Sequence, residues 1–360
     1  MRVLMLVSDA HGGRGGIAQY NRDVIAALSA NDQISEIVVL PRLAEPSDYS
    51  LPPKVRYDWS ATGGQIAFIR RTLAAAAAAG RFDLVFCGHI NLMPVAALAK
   101  WVMRGKLVLA VHGTEVWEPS ASLAARLALG AADSIFSVSQ FTLDKMARWH
   151  GAAKHMGKVI PNTFRPEGYG MAPPSADLAA RLGLTGKRVI MTLGRMASDE
   201  RAKGFDEVIE LMPALLARCP LLAYLCAGDG DDRARLEEKV TRLGLSHAVI
   251  FAGAVPEQEK PDYYRLADAF ILASRGEGFG IVLLEAMACG IPVVGSTADA
   301  TQEALLHGEL GPSVDPKDCA ALADAILAAI ERPKTVPTKL NKFGFERFCA
   351  QISAGISALV

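Results

Sequence analysis

The sequence has no net charge: 38 lysines and arginines face 38 aspartates and glutamates. That balance excludes the broad positive field that general nucleic-acid binding requires. Aromatic residues are scarce at 7%, in a chain whose hydrophobic content is 51%. The apolar runs are instead rich in alanine and valine, which suits parallel strands buried beneath helices. None of those runs approaches the roughly 18 residues of a membrane span. The six cysteines, Cys87, Cys219, Cys226, Cys289, Cys319 and Cys349, form no CxxC pair. They read as buried thiols of a reducing compartment, not as a zinc site or a disulfide frame. No HExxH, Walker loop or Ser–His–Asp order appears. Met1-Arg2 leads straight into a strand-like run, so no signal peptide and a cytoplasmic location are expected.

What is present is a double alternation. The first series of strand candidates is Val3–Val7, Ile37–Leu40, Leu84–Cys87, Leu107–Val111 and Ser134–Val138, with helix candidates Ile17–Ser29, Gln65–Ala79 and Leu92–Val102 among them. The second is Arg188–Leu193, Leu222–Ala227, Val249–Ala252, Ala269–Leu272 and Pro292–Gly295, with helices Phe205–Cys219, Asp231–Leu243, Ile281–Cys289 and Asp318–Ile330. Strand–helix alternation implies parallel sheets with helices on both faces, and two series imply two doubly wound α/β domains. At 360 residues each domain can bury its own core. The proline-rich stretch Pro161–Pro174 marks the join, giving domains 1–165 and 166–338, with an amphipathic helix in 339–360 beyond the Pro333–Pro337 linker. The first 165 residues hold 18 basic against 12 acidic residues, and the remainder 20 against 26. A basic and an acidic half point to different partners, or to attraction between the halves.

Open parallel sheets bind ligands at the carboxyl ends of their strands. There stands the sharpest motif, Glu277-Gly278-Phe279-Gly280-Ile281-Val282-Leu283-Leu284-Glu285, just after the strand Ala269–Leu272. The glycines permit close backbone approach to a ligand, and the helix opening near Gly280 offers free N–H groups to a phosphate. Glu285 sits inside an apolar run, which is unusual for a merely solvated carboxylate. Ser274–Val294, with two glutamates separated by seven residues, resembles the donor signature of family 4 glycosyltransferases. In that family the first glutamate contacts the transferred hexose and the second the nucleotide ribose, roles that fall here to Glu277 and Glu285.

The resemblance extends over nearly the whole chain. Gly194-Arg195, followed by Lys203-Gly204-Phe205, is similar to the family's diphosphate-clamping arginine and lysine, with a longer spacer, Met196–Ala202. Two cations at a strand end suit a leaving diphosphate. Gly12-Gly13-Arg14-Gly15-Gly16-Ile17 resembles the family's N-terminal glycine loop, with Gly15 and Gly16 near the donor phosphates. It also fits GxGxxA at Gly13, Gly15 and Ala18, but Leu40-Pro41-Arg42 lacks the acid a dinucleotide ribose requires. His112-Gly113 follows a strand and resembles the family histidine near the donor sugar. Gly253-Ala254-Val255 resembles the loop that reads the base. Asp229-Gly230-Asp231 is formally a metal-type DxD, but its place at a helix start reads as capping.

The resemblance therefore implies a GT-B fold, two Rossmann-like domains with parallel sheets facing a central cleft. It implies retaining, metal-independent transfer of a hexose from a UDP- or GDP-linked donor to a glycan or glycolipid, in polysaccharide, lipopolysaccharide or other glycoconjugate synthesis. Catalytic roles are expected for His112, Arg195, Lys203 and Glu277. Donor contacts are expected from Gly15, Gly16, Gly194, Val255, Gly278, Phe279, Gly280, Ile281, Val282 and Glu285. No metal and no cofactor are expected, the nucleotide sugar being a co-substrate. The terminal helix is expected on the first domain, and Arg70-Arg71 with Lys100–Lys106 as a basic face toward an anionic membrane. The alternatives are a GT-B-like epimerase or phosphorylase, and a non-catalytic nucleotide-sugar-binding partner of another transferase.

Overall fold

The computed structural model describes residues 1–13, 15–43, 50–78 and 82–359. The chain divides into two units, Met1–Thr163 with Phe345–Val360, and Phe164–Gly344. Arg14 of the glycine loop and Ala79, the expected end of the second helix, lie outside the described residues.

The first unit is built on β1 (Arg2–Val7), β2 (Glu36–Pro41), β3 (Val55–Tyr57), β4 (Leu84–Cys87), β5 (Lys106–Val111), β6 (Ser134–Ser137) and β7 (Gly157–Val159). Their order is β3-β2-β1-β4-β5-β6-β7, all pairs parallel. The four residues of β4 are all buried, as are the last five of β1 and β5, because helices cover both faces. The strand order reverses between β1 and β4, where Leu6 pairs with Cys87, so the β1 and β4 loops open side by side. The edge strands β3 and β7 are three residues each, half exposed and without an apolar run, which hid them in the sequence.

The helix Phe345–Ser357 belongs to this unit and lies on the helix Gly16–Ala30. Phe348 meets Tyr20 edge to face at 5.6 Å, and Asn31 Nδ2 donates to Ser353 Oγ at 3.1 Å. Gly355 leaves room for the Phe136 ring, 2.6 Å from where a Cβ would stand. The segment just before it stays with the second unit. Leu340 and Phe343, in the turn Thr338–Phe343, are buried there, and Phe343 packs on Phe279 at 5.4 Å.

The second unit holds β8 (Arg188–Leu193), β9 (Leu222–Ala227), β10 (Val249–Gly253), β11 (Ala269–Ile271), β12 (Val293–Ser296) and β13 (Ser313–Val314). Their order is β10-β9-β8-β11-β12-β13, again parallel throughout. Three strands are tied through buried hydroxyls: Tyr224 OH donates to Thr192 Oγ1, which donates to the Ile271 carbonyl, both at 2.8 Å. Both buried hydroxyls thus have a partner, as a low-dielectric interior demands. Here the order reverses between β8 and β11. The six cysteines form no disulfide, and Cys319 is exposed, contrary to the expectation that the thiols are buried.

Candidate functional site

The two motif loops of the second unit follow neighbouring strands at this switch point. One runs from Gly194, after β8, to the helix Phe205–Arg218; the other runs from Leu272, after β11, to the helix Ile281–Ala288. They touch backbone to backbone. Gly204 has φ +92°, and a Cβ on it would stand 2.7 Å from the carbonyl carbon and oxygen of Ala273. Arg275 N–H donates to the Ala202 carbonyl at 2.8 Å.

That contact brings two expected site residues into one ion pair. Lys203 Nζ donates to Glu277 Oε2 at 2.7 Å. Burial acts to lower the Lys203 pKa, but the Glu277 carboxylate outweighs it and holds the ammonium above its ordinary value. Arg195 donates to Glu200 of its own loop and is 68% exposed along its side chain. Its charge reaches Lys203, so Arg195, Lys203 and Glu277 form one cluster.

The long spacer is anchored by the formal DxD. Asp231 accepts from the Ser198 N–H at 2.8 Å and from Ser198 Oγ at 2.6 Å. The expected helix cap is therefore corrected. The helix begins at Arg233 with no side-chain cap, and Asp231 holds the Arg195 loop instead. Among the described residues no group of three or more His, Cys, Asp or Glu is placed to hold a metal ion.

Glu285 is 5% exposed, on the helix Ile281–Ala288. Its Oε2 accepts from Tyr264 OH at 2.6 Å and its Oε1 from Lys260 Nζ at 3.4 Å. Tyr169 bonds to the same carboxylate, and burial together with that charge pushes both phenols upward. Lys260, which burial alone would lower, is held above its ordinary value by Glu285 and Glu257. The sequence reading missed Lys260, Tyr264 and Tyr169. The first two sit on the helix Lys260–Leu266, which follows the Val255 loop, and that connection was the available signal. Phe279 is buried against Phe343, so its ring is core and only its backbone faces outward chemistry. Gly280 precedes the helix with φ +96°, leaving the N–H groups of Ile281 and Val282 at its start.

A further missed residue is Asp299, after β12. It accepts from Ser274 Oγ at 2.6 Å and from the Glu277 N–H at 2.9 Å. A cavity of about 500 Å³ in this unit is lined by Arg235, Arg275, Asp206 and Glu207 among others, but not by Lys203 or Glu277. Two of its cations are already matched, Arg235 to Asp206 and Arg275 to Glu207, each at 2.6 Å. It is a salt-bridged recess that meets the Ser274–Val294 motif at Arg275.

In the first unit, the glycine loop follows β1 and is fastened by Arg22, whose Nη1 donates to the carbonyls of Ala10 at 2.8 Å and Gly13 at 3.0 Å. Gly15 and Gly16 have open space where a Cβ would stand. His112 Nε2 lies 2.9 Å from the Gly88 carbonyl and its ring meets Tyr20 edge to face. A carbonyl only accepts, so Nε2 is the donor in this contact. Beside it His89, unnoticed in the sequence, is pushed below the ordinary histidine value by burial, with His112 and Arg42 adding to that against Glu115.

The family described as Glycosyltransferase Family 4 matches residues 14–167, and that described as Glycosyl transferases group 1 matches residues 187–332. The chain belongs to the family 4 glycosyltransferases. Among this family's members, a GDP-mannose-dependent alpha-(1-6)-phosphatidylinositol monomannoside mannosyltransferase of Mycolicibacterium smegmatis is 30% identical over 67% of this chain and 66% of its own length. The protein of the same description from Mycobacterium tuberculosis is 28% identical over 93% of this chain and 91% of its own. The first of these matches thus spans just under two thirds of that relative. Among solved structures, Anabaena HepE with UDP-glucose superposes with a TM-score of 0.77 at 22% identity, covering 100% of both chains. Sucrose-phosphate synthase from Thermosynechococcus elongatus reaches 0.79 at 22% identity, covering 100% of this chain and 99% of its own. Their likeness establishes the fold of this family member as GT-B.

Proposed function

We propose that this family 4 member transfers a hexose from a nucleotide-diphospho-sugar to a glycan or glycolipid acceptor, with retention and without a metal. The observation that carries the reading is the Lys203–Glu277 pair at the β8/β11 switch point. A lysine ammonium has three N–H groups, and Glu277 engages one. The others are available to a phosphate oxygen, which would then lie about 6 Å from the Glu277 carboxylate by two hydrogen-bond lengths. The hexose is joined to that phosphate, so Glu277 is suitably placed for its hydroxyls. Arg195 and the N-terminus of the helix Ile281–Ala288 add positive potential for the diphosphate. Glu285, with three of its four acceptor sites taken by Tyr264, Lys260 and Tyr169, keeps one for a ribose hydroxyl, while Val255 lies at the base and Gly194, Gly278 and Phe279 offer backbone. Gly15, Gly16 and His112 are the first unit's contacts in this reading.

The anomeric C–O bond breaks with its electron pair going to the diphosphate. The acceptor oxygen bonds the same face of that carbon, and its proton passes to the leaving phosphate oxygen. The two mannosyltransferases, more than 25% identical to this chain, favour GDP-mannose as the first donor to test over the UDP-glucose of HepE. The decisive experiment is a thermal-shift and calorimetric panel of UDP, GDP, UDP-glucose, UDP-N-acetylglucosamine and GDP-mannose in EDTA, on wild type and Glu285→Gln. A ligand at a hundred times its Kd stabilises by about 2.7 kcal/mol. One nucleotide series is expected to shift wild type and much less the variant; no shift from any of them overturns the donor site.

The acceptor side of the proposal is a lipid surface. The helices Gln65–Ala77, Met93–Met103 and Leu123–Ala128 lie side by side and contain no acidic residue. They present Ile66 at 75%, Trp101 at 79% and Leu127 at 74% exposure. The expected basic face is partly spent within the protein: Arg71 pairs with Asp58, and Lys100 and Lys106 with Asp133. Apolar insertion supplies the rest. Among the described residues no helix is long and apolar enough to cross a membrane. Cosedimentation with phosphatidylglycerol vesicles, and little with phosphatidylcholine, is expected. Ile66→Asp/Trp101→Asp/Leu127→Asp should abolish it while nucleotide binding persists; undiminished sedimentation of the variant would refute the surface.

A further inference from the structure

Asp299 is fully buried, between β12 and the short helix Thr301–Ala304. Both its oxygens are used twice. Oδ2 accepts from Ser274 Oγ at 2.6 Å and the Glu277 N–H at 2.9 Å; Oδ1 accepts from Thr301 Oγ1 at 2.8 Å and the Thr301 N–H at 3.1 Å. The next residue completes the hold: Ala300 N–H donates to the Glu277 carbonyl at 3.2 Å. Glu277 is thus gripped at both its backbone N–H and its C=O, while its carboxylate is held by Lys203.

Stability does not account for an ionised group here. Burial pushes the Asp299 pKa up to about 6 against its four donors, and the nearby Glu277 charge adds to the rise. The folded state therefore holds the proton more tightly than the unfolded chain. By linkage the contribution of Asp299 to stability is greatest below the ordinary carboxylate value and declines as pH rises through about 6. A neutral isostere removes that cost but cannot keep the geometry, because each oxygen faces a backbone N–H that cannot reverse its role. An asparagine presents one oxygen and one NH₂, so either Glu277 N–H or Thr301 N–H must meet a donor.

We propose that Asp299 is a positioning residue: its ionised carboxylate sets the backbone of Glu277, and through it the reach of the Glu277 side chain to the donor hexose. This rests on the reading of Glu277 as the hexose contact. The neighbouring charge that adds to the rise at Asp299 is that of Glu277. Glu277 comes from the donor loop with Lys203 beyond it; the helix Thr301–Ala304 offers the Thr301 hydroxyl, and Arg275 pairs with Glu207. Protonation of Asp299 places a hydrogen among four donors and loosens the grip.

The test is a split between two ligands. Full-length wild type, Asp299→Asn and Glu277→Gln are titrated calorimetrically with the nucleotide sugar identified by the panel and with its nucleoside diphosphate alone, above and below pH 6. Above pH 6, Asp299→Asn is expected to bind the nucleotide sugar about tenfold more weakly while the bare diphosphate changes by less than about twofold. Wild type should lose the same sugar-dependent margin as pH falls through about 6, and Asp299→Asn should show no such limb. A variant that loses both ligands equally, or neither, overturns the proposal. Should the variant fail to fold, the wild-type pH titration decides alone: a margin unchanged across pH 6 is equally fatal. If Glu277→Gln keeps the full margin, the hexose role of Glu277 has failed, and that result is distinguishable from failure of Asp299.

Discussion

Lys203→Ala should lower kcat for hexose transfer by roughly 10²–10³ at saturating donor, the scale of removing one preorganised charge from a transition state. The ammonium is asked to do two things at once. It neutralises charge that appears on the diphosphate only as the anomeric bond breaks, which raises kcat more than it tightens donor binding. It also holds Glu277, at 2.7 Å, where the hexose is expected. Because the ammonium is partly buried and the carboxylate keeps it charged, alanine removes a full positive charge and leaves Glu277 without its partner. The two residues therefore act as a unit. The double variant Lys203→Ala/Glu277→Gln should cost clearly less than the product of the single losses, as contacting groups do. Nucleotide release under initial-rate conditions measures all three. A single variant within threefold of wild-type kcat would remove the ammonium from the mechanism.

How much of this was visible beforehand follows from the range of each interaction. The central strands were legible because burial on both faces forces a continuous apolar run, as in Leu222–Ala227, whose six residues are all buried. The edge strands β3, β7 and β13 carry no such constraint and were missed. The placement of Gly194-Arg195 and Glu277 after strands was legible too, since doubly wound sheets put ligand loops there. That those loops meet at the reversal point depends on strand order, which the local pattern does not encode. The Lys203–Glu277 pair spans 74 positions in the sequence and exists because Gly204 lets one backbone lie on another. Asp231 misled for the same reason: its neighbours in sequence spell a helix start, while its partner in space is Ser198, 33 residues away. Asp299 left almost no trace, because an aspartate two residues before a threonine at a helix start also reads as ordinary local capping.

Gly204→Ala is expected to be nearly as damaging to turnover as loss of Lys203, and for a separable reason. At φ +92° an L-residue stores roughly 1–2 kcal/mol of backbone strain. Strain alone does not account for the effect expected here. A Cβ would stand 2.7 Å from the carbonyl carbon and oxygen of Ala273, which is itself buried just beyond β11. Neither side of that contact is a flexible side-chain end, so the two loops must part. Parting them carries Lys203 away from Glu277, and a misplacement on the order of 1 Å costs about a hundredfold in rate. Gly183 supplies the control: it has φ +66° and open space around its would-be Cβ. Gly183→Ala should lose about 1 kcal/mol of stability, a melting shift of roughly 2–4 °C, with unchanged kcat. Gly204→Ala should melt lower still and lose kcat out of proportion to that shift. Equal turnover in the two variants would mean that the loop contact at Ala273 does not set the Lys203–Glu277 geometry, and that the pair forms by side-chain reach alone.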